Sequence, residues 1–279
     1  MRLDPLPPGA RPSLDDASAG APPGAPEKGD LRDRLTDLGQ RMAHWQEALY
    51  AEGKRALLVV LQARDTGGKD GAIRHVFGRL NPLGIEVTSF KVPTPLELRH
   101  DYLWRVHQRV PSAGLIGVFN RSHYEDVLVV RVHGLVPPEV WKPRYEQINA
   151  FERHLVANGV TILKFCLHIS AEEQRQRLIA RLRDPSKHWK FNPGDLRERA
   201  RWQDYTEAYA DVIEATGTTA APWFVVPADR KPVRDVLIAQ VVVETLERMA
   251  PQYPPSKAGV SELLAQLERE ATSGGGRPE

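Results

Sequence analysis

"LLVVLQARDTGGKDGAIRHVF", residues 57–77, sets the reading of the whole chain. An apolar run, Leu57 to Leu61, enters a glycine-containing turn with a lysine, and a helix-like pattern follows. Buried strand, tight turn and helix is the device that cradles phosphate, written G-x-x-x-x-G-K-[ST]. Here it reads Ala63-x-x-x-x-Gly68-Lys69-Asp70, with alanine at the first glycine and aspartate at the hydroxyl position. Gly67 and Gly68 let backbone N–H groups converge as an anion nest, and the next helix points its positive end at the same spot. Lys69 reaches the bound phosphates. Two carboxylates in such a loop repel phosphate unless a cation lies between. Asp65 is therefore the first candidate for a magnesium ligand, since Mg²⁺ takes one or two carboxylates and fills its shell with water and phosphate oxygens. Asp70 is either a favourable charge in a first helical turn or a metal contact, direct or through water.

Outward from the loop, strand and helix signals alternate. Strands are expected at 55–62, 85–90, 114–120, 160–169 and 222–227. Helices are expected at 31–52, 69–79, 95–109, from about 122, and at 138–157, 171–183, 195–215 and through "VRDVLIAQVVVETLERM". This pattern predicts a parallel sheet covered on both faces, with ligands bound beyond the carboxyl ends of the strands. The unusual polar residues fall at those ends: Asp65 and Lys69, Pro93-Thr94, and Asn120-Arg121. Residues 1–29, rich in Pro, Gly and Ala, read as a disordered or draped arm. Residues 30–256 form the expected catalytic domain, with a lid at about 171–205, and 257–279 a last helix and flexible tail.

The 279 residues, 41% hydrophobic, suffice for one large core. A net charge of +2 is too mild for a duplex-DNA binder. The lone Cys166, in the apolar run "VTILKFCLH", reads as a buried structural thiol and excludes an internal disulfide framework. No apolar stretch is long enough to span a bilayer, and the N-terminus lacks the apolar segment of a signal peptide. A cytoplasmic protein with no nucleic-acid or membrane partner is expected.

After the third strand, Arg121 stands where a transferred phosphoryl group would lie, Ser122 can cap the next helix, and Glu125 and Asp126 either orient Arg121 or favour a helix start. Ser170 with Glu173 reads as a capping box. Arg177 and Arg181, four apart, share a helix face. Nucleoside monophosphate kinases close lid arginines over phosphate in this place; the plainer reading is a solvated helix. Lys187 and Lys190 follow, and Trp189 is either lid packing or core. Lys91, Arg99, Arg105 and Arg109 are candidates for flanking a polyanion, extended by Arg131 and His133. His107 reads as a helix-face histidine.

Together "ARDTGGKDG", "NPLGIEVTSFKVPTPLE", "YLWRVHQRVPSAGLIGVFNRSHYEDVLVVRVH" and "DPSKHWKFNPGDLRERARWQDY" resemble the polyphosphate kinase 2 family, over about residues 31–255. The resemblance implies a P-loop kinase-like three-layer α/β sandwich: a parallel five-stranded sheet, helices on both faces and a helical lid. It implies Mg²⁺-dependent transfer of the terminal phosphate of inorganic polyphosphate to a nucleotide. The family loop, G-x-D-x-x-G-K-D, is matched by Asp65, Gly68, Lys69 and Asp70, and Ala63 departs from it. Asn120 and Arg121 match the third-strand catalytic pair and Arg181 a lid arginine. Many members that act on diphosphates carry aspartate at position 120, and Asn-Arg-Ser-His-Tyr-Glu-Asp resembles the branch that accepts AMP as well as ADP, class III. The resemblance further implies a dimer or tetramer. On it, Asp65, Lys69, Asn120, Arg121 and Arg181 are the expected catalytic residues. Gly67, Gly68, Lys69, Asp70, Gly71, Thr94 and Arg177 would hold nucleotide or phosphate, and Lys91, Arg131, His133, Lys187 and Lys190 polyphosphate. The alternatives are a kinase limited to ADP or GDP, an ATP-dependent nucleotide kinase, and a nucleotide- or polyphosphate-sensing module without turnover.

Overall fold

The structure, a computed structural model, describes residues 1–256 and 259–273, and the side chains of all these except Lys190 and 271–273. The strands are β1 (Ala56–Ala63), β2 (Ile85–Ser89), β3 (Ile116–Asn120), β4 (Val160–His168) and β5 (Trp223–Pro227). They form one five-stranded sheet in the order β2-β3-β1-β4-β5, every neighbouring pair parallel. The helices are α1 (Lys28–Glu52), α2 (Lys69–Ala72), α3 (Trp104–His107), α4 (Val129–Val132), α5 (Pro138–Trp141), α6 (Arg144–Ala157), α7 (Ala171–Arg183), α8 (Gly194–Ala200), α9 (Trp202–Thr216), α10 (Lys231–Met249) and α11 (Val260–Ser273).

β1 is buried along its whole length, and its alternation divides the core. Leu57, Val59 and Leu61 pack with Leu31, Met42 and Leu49 of α1 and with the apolar face of α10. Ala56, Leu58 and Val60 pack on the opposite face with Ile148 of α6 and Val212 and Ile213 of α9. A strand covered on both sides reads as a continuous apolar run, which is why β1 is visible in sequence. Each such side chain contributes about 1.5–3 kcal/mol by leaving water. Leu61→Asp would place an unpaired charge between α1 and α10.

Four expected helices are broken, among them the one from about 122, which becomes a 3-10 turn, His123–Asp126, and then α4. The span 95–109 becomes a 3-10 turn, Glu97–Arg99, and then α3, because Asp101 Oδ1 accepts from Leu103 N at 3.0 Å and restarts the chain locally. The span 138–157 divides at Pro143, which has no N–H to give to a helix. The span 195–215 divides at Arg201, between α8 and α9. The helix after the loop runs as α2 and then a π turn, Ile73–Phe77.

The N-terminal arm lies along the domain. Leu6 N donates to Trp223 O, Leu14 and Ala19 are buried, and Asp16 Oδ1 accepts from Ala171 N at the start of α7. Cys166 is buried, and burial pushes its thiol pKa up to about 12. Among the described residues no helix is long and apolar enough to cross a membrane. The final residues, 274–279, lie outside the described residues, so the expected flexible tail does too.

Candidate active site

The parallel register sets the carboxyl ends of β1, β3 and β4 side by side: Leu61 is level with Asn120, and Ala63 with Leu167. The loop after β1 therefore opens beside the turn after β3 and the start of α7.

The loop is shaped by its glycines. Gly68 takes φ 97° as the N-cap of α2, a conformation costly for any other residue. At Gly67 a Cβ would lie 2.5 Å from the Cβ of Ala63 and 2.9 Å from Arg64 O. Alanine at the loop's first position is thus tolerated because position 67 has no side chain. Thr66, at φ 61°, leaves its Oγ1 buried with no hydrogen-bond partner. Lys69 is buried and donates from Nζ to Ala63 O at 2.8 Å. Burial, then the nearby Arg121, lowers its pKa to about 8.

At the end of β3, Asn120 Nδ2 donates to Asp70 Oδ1 at 2.9 Å. Arg121, at φ 63°, donates from Nη2 to Asp65 Oδ1 at 2.6 Å and from Nη1 to Glu125 Oε2 at 3.1 Å. Glu125, then Asp65, raises the Arg121 pKa against the effect of burial. Of the two acids left open by sequence, Glu125 orients Arg121. Asp126 instead faces Arg144, and burial raises its pKa to about 6. Ser122 does cap the turn that follows, accepting from Tyr124 N at 3.2 Å.

α7 closes a third side. Arg181 donates to Asp195 Oδ2 at 3.2 Å, and the Asp195 pKa is raised first by burial and then by the charge of Asp65, so α8 brings a further carboxylate to the site. Arg177 bridges backbone rather than facing the opening: Nη1 donates to Thr66 O at 3.0 Å and Nη2 to Ala228 O at 2.5 Å. Its role in this structure is to hold the loop's carbonyl edge. The capping box is half made, since Glu173 N reaches Ser170 Oγ but Ser170 N goes to Asp229 Oδ1.

Other sequence candidates are placed apart. Arg131 pairs with Asp211 at 2.6 Å and lies 5.0 Å from the Trp141 ring centroid, while His133 meets Glu198 Oε2 at 2.9 Å. Both are turned to helices of the covering layer, because the short α4 faces α8 and α9. Arg105 is buried against Lys91 O and the Phe90 ring, not along an anion path. His107 packs edge-on to Phe151. Thr94 forms a reciprocal cap with Glu97 in the loop after β2. The Lys91 side chain is exposed there. Lys187 pairs with Asp184 at 2.6 Å. Trp189 is 78% exposed, which removes the core reading. The Lys190 side chain lies outside the described residues.

Residues not anticipated from sequence complete the site. Gln174, on α7, donates to Asp65 O at 3.0 Å. The Arg64 guanidinium lies 3.8 Å from the Trp202 ring centroid. Beside Asp65 and Arg121 is a narrow, partly open cleft, walled by Leu128, Val129, Trp202 and Tyr205. One wall thus carries charge and the other is apolar and aromatic, the arrangement that takes a ligand with an anionic end and a flat apolar end. Among the described residues no three His, Cys, Asp or Glu side chains gather as a metal-holding group. The donor set fits Mg²⁺ only with phosphate oxygens filling most of its shell, and Asp65 at the mouth of the loop supplies the hard carboxylate oxygen for that.

Comparison with known proteins gives a consistent result. The family model of polyphosphate kinase 2 matches residues 26–254. The AMP/ADP-polyphosphate phosphotransferase of Meiothermus ruber is 54% identical over 232 residues, covering 83% of this chain and 87% of its own. The ADP-polyphosphate phosphotransferase of Rhodopseudomonas palustris is 43% identical over 243 residues, 83% of this chain and 84% of its own. The crystal structure of polyphosphate kinase 2 from Arthrobacter aurescens superposes with a TM-score of 0.87 at 44% identity, covering 90% of each chain.

Proposed function

Since the chain belongs to the polyphosphate kinase 2 family, we propose that it transfers the terminal phosphate of inorganic polyphosphate to AMP and to ADP, giving ADP and ATP, with Mg²⁺. The observation that carries this reading is the convergence of Lys69, Arg121, Asp65 and Asn120 at adjacent strand ends. Substrates named for the relatives support the donor and both acceptors.

The chemistry is positioning and charge neutralisation. The Gly68–Lys69 turn holds the donor's end group through backbone N–H groups, the Gly67 N–H being taken by Arg64 O, and Lys69 moves from its carbonyl to a phosphate oxygen. Arg121 and Arg181 leave their carboxylates for the transferred group. Asp65 would hold Mg²⁺, which would supply charge neutralisation for the transferring oxygens. The attacking atom is an already ionised phosphate oxygen of the acceptor. The P–O bond to the donor chain breaks as the new P–O bond forms, so no side chain takes a proton. The nucleoside lies in the cleft against Trp202 and Tyr205, which places its phosphate at Arg121. The protein acts in the cytoplasm as a dimer or tetramer, which the exposed Leu83, Val87 and Val92 on and around the edge strand β2 support; light scattering reads the size.

Purified protein is given polyphosphate, Mg²⁺ and either AMP or ADP, with no other phosphate donor. ADP and ATP formed from AMP, and ATP from ADP, are expected. Absence of product from both acceptors would overturn the reading.

A further inference from the structure

A buried arginine from the far end of the chain lies against the phosphate loop. Arg234, in the first turn of α10, is 1% exposed. A guanidinium at that depth must have partners. Its Nε and Nη2 both donate to Asp235 Oδ1, at 2.8 and 2.5 Å. Its third nitrogen, Nη1, has no hydrogen-bond acceptor among the described residues.

Nη1 is at the loop. A Cβ built on Gly68 would overlap it, and a Cβ on Gly71 would stand 3.4 Å from Nη2. The glycines at 68 and 71 therefore have a use beyond backbone freedom, since their missing side chains make the bed for this guanidinium. Asp235 then ties the unit to the next element. Its second oxygen meets Nδ1 of His75 at 2.9 Å, and His75 belongs to the π turn that continues α2. π turns are often retained at functional sites because the extra residue re-aims a side chain. Gly68, Arg234, Asp235 and His75 thus close a ring from the loop, through α10, back to the loop's own helix. Arg177 is on the same side, its Nη1 3.5 Å from the Gly68 Cβ position. Two guanidinium groups beside one anion nest repel each other, and an anion in the nest relieves both.

We propose that Arg234 is a positioning residue for the donor phosphate. Through Asp235 and His75 it fixes the segment Gly68–Gly71, so that the Gly68 and Lys69 N–H groups converge on one phosphate, and its Nη1 adds positive charge behind them. This rests on the reading that the loop takes the polyphosphate end. It predicts an effect confined to the donor side, because the cleft proposed for the nucleotide is lined by residues of α4 and α9 and by neither Gly68, His75 nor Arg234.

The test is steady-state kinetics with polyphosphate and AMP varied in turn, together with calorimetric binding of tripolyphosphate. The proteins are wild type, Lys69→Ala, Arg234→Met, Arg234→Lys and His75→Ala. Arg234→Met should raise KM for polyphosphate and weaken tripolyphosphate by about tenfold or more, the loss expected for one charge-assisted contact. Its KM for AMP should stay within about twofold of wild type. Arg234→Lys should recover part of the loss, and His75→Ala should show a smaller loss in the same direction. An unchanged KM for polyphosphate, or equal changes in both KM values, overturns the proposal. If Arg234→Met fails to fold, His75→Ala decides it: a donor KM equal to wild type overturns the ring. Failure of the underlying reading looks different, because wild type would then not bind tripolyphosphate, or Lys69→Ala would bind it as well as wild type.

Discussion

Arg121 Nη2 donates to Asp65 Oδ1 at 2.6 Å, so the arginine that ends β3 and the carboxylate of the loop neutralise each other. Glu125 takes the other side of the same guanidinium. A polyphosphate end group draws Arg121 away by offering it a stronger partner, and Asp65 would then be free to hold a metal ion. Arg121→Ala should therefore do two things: lower kcat by about 10³-fold or more, the scale for an arginine that stabilises a transferring phosphoryl group, and leave Asp65 and Glu125 facing each other. Arg121→Lys should recover little, because one ammonium cannot span both carboxylates. Single-turnover rates with saturating substrates measure this.

The pKa of Lys69 gives a pH profile with a definite sign. Burial holds it at about 8, below the usual lysine value, so Lys69 is cationic below that pH and loses its charge above it. Because kcat/KM reports the free enzyme, kcat/KM for polyphosphate should fall as pH rises through about 8. The profile of kcat should stay flatter, since bound phosphate favours the charged form. In Lys69→Arg the fall near this pH should disappear, because a guanidinium does not titrate there.

Asn120 donates to Asp70 at 2.9 Å. Asn120→Asp would set two carboxylates at that distance, which is favourable only with a cation or a proton shared between them. The variant should need less Mg²⁺ for half-maximal rate. A cation held by the pair would favour ADP, the more highly charged acceptor, so the ratio of kcat/KM for AMP to that for ADP should fall by about tenfold, one pK unit of interaction. Initial rates over a Mg²⁺ series with each acceptor check both statements.

Behind this turn the core holds a buried lysine with an acceptor for each of its three N–H groups. Lys164 Nζ donates to Glu152 Oε2 at 2.6 Å, to Thr216 O at 2.7 Å and to Tyr124 OH at 2.9 Å, with Lys164 and Glu152 both buried. Lys164→Met leaves the Glu152 charge without its cation and should cost about 3–5 kcal/mol. Lys164→Met with Glu152→Leu should recover much of that loss. Urea unfolding midpoints give the comparison.

All five strands are found where the sequence places them: β1, β3 and β4 show as apolar runs because they are buried on both faces, while the exposed edge strand β2 shows only through alternating Ile85 and Val87. The proximity of Asp65, Lys69, Asn120 and Arg121 is also legible, since parallel strands collect their carboxyl ends on one edge. Arg234, Gln174 and Asp195 are not legible. Each arrives from a helix more than a hundred residues from the loop, and nothing in "KPVRDVL" marks one arginine as buried. The partners of Arg131 and His133 are hidden in the same way. The basic type of these two residues suggests an anion path, but Asp211 and Glu198, brought over by α9 and α8, take them. The broken helices depend on single local competitors, Asp101 and Pro143, that periodicity averages over.

The most direct test of the central claim is ³¹P NMR of one reaction containing polyphosphate, AMP and Mg²⁺, followed with wild type and with Lys69→Ala. The account predicts that wild type consumes one polyphosphate phosphoryl group for each phosphoanhydride formed on AMP, with no free phosphate released, and that Lys69→Ala is nearly inert. Release of free phosphate without ADP or ATP, or an equal rate from Lys69→Ala, would contradict it.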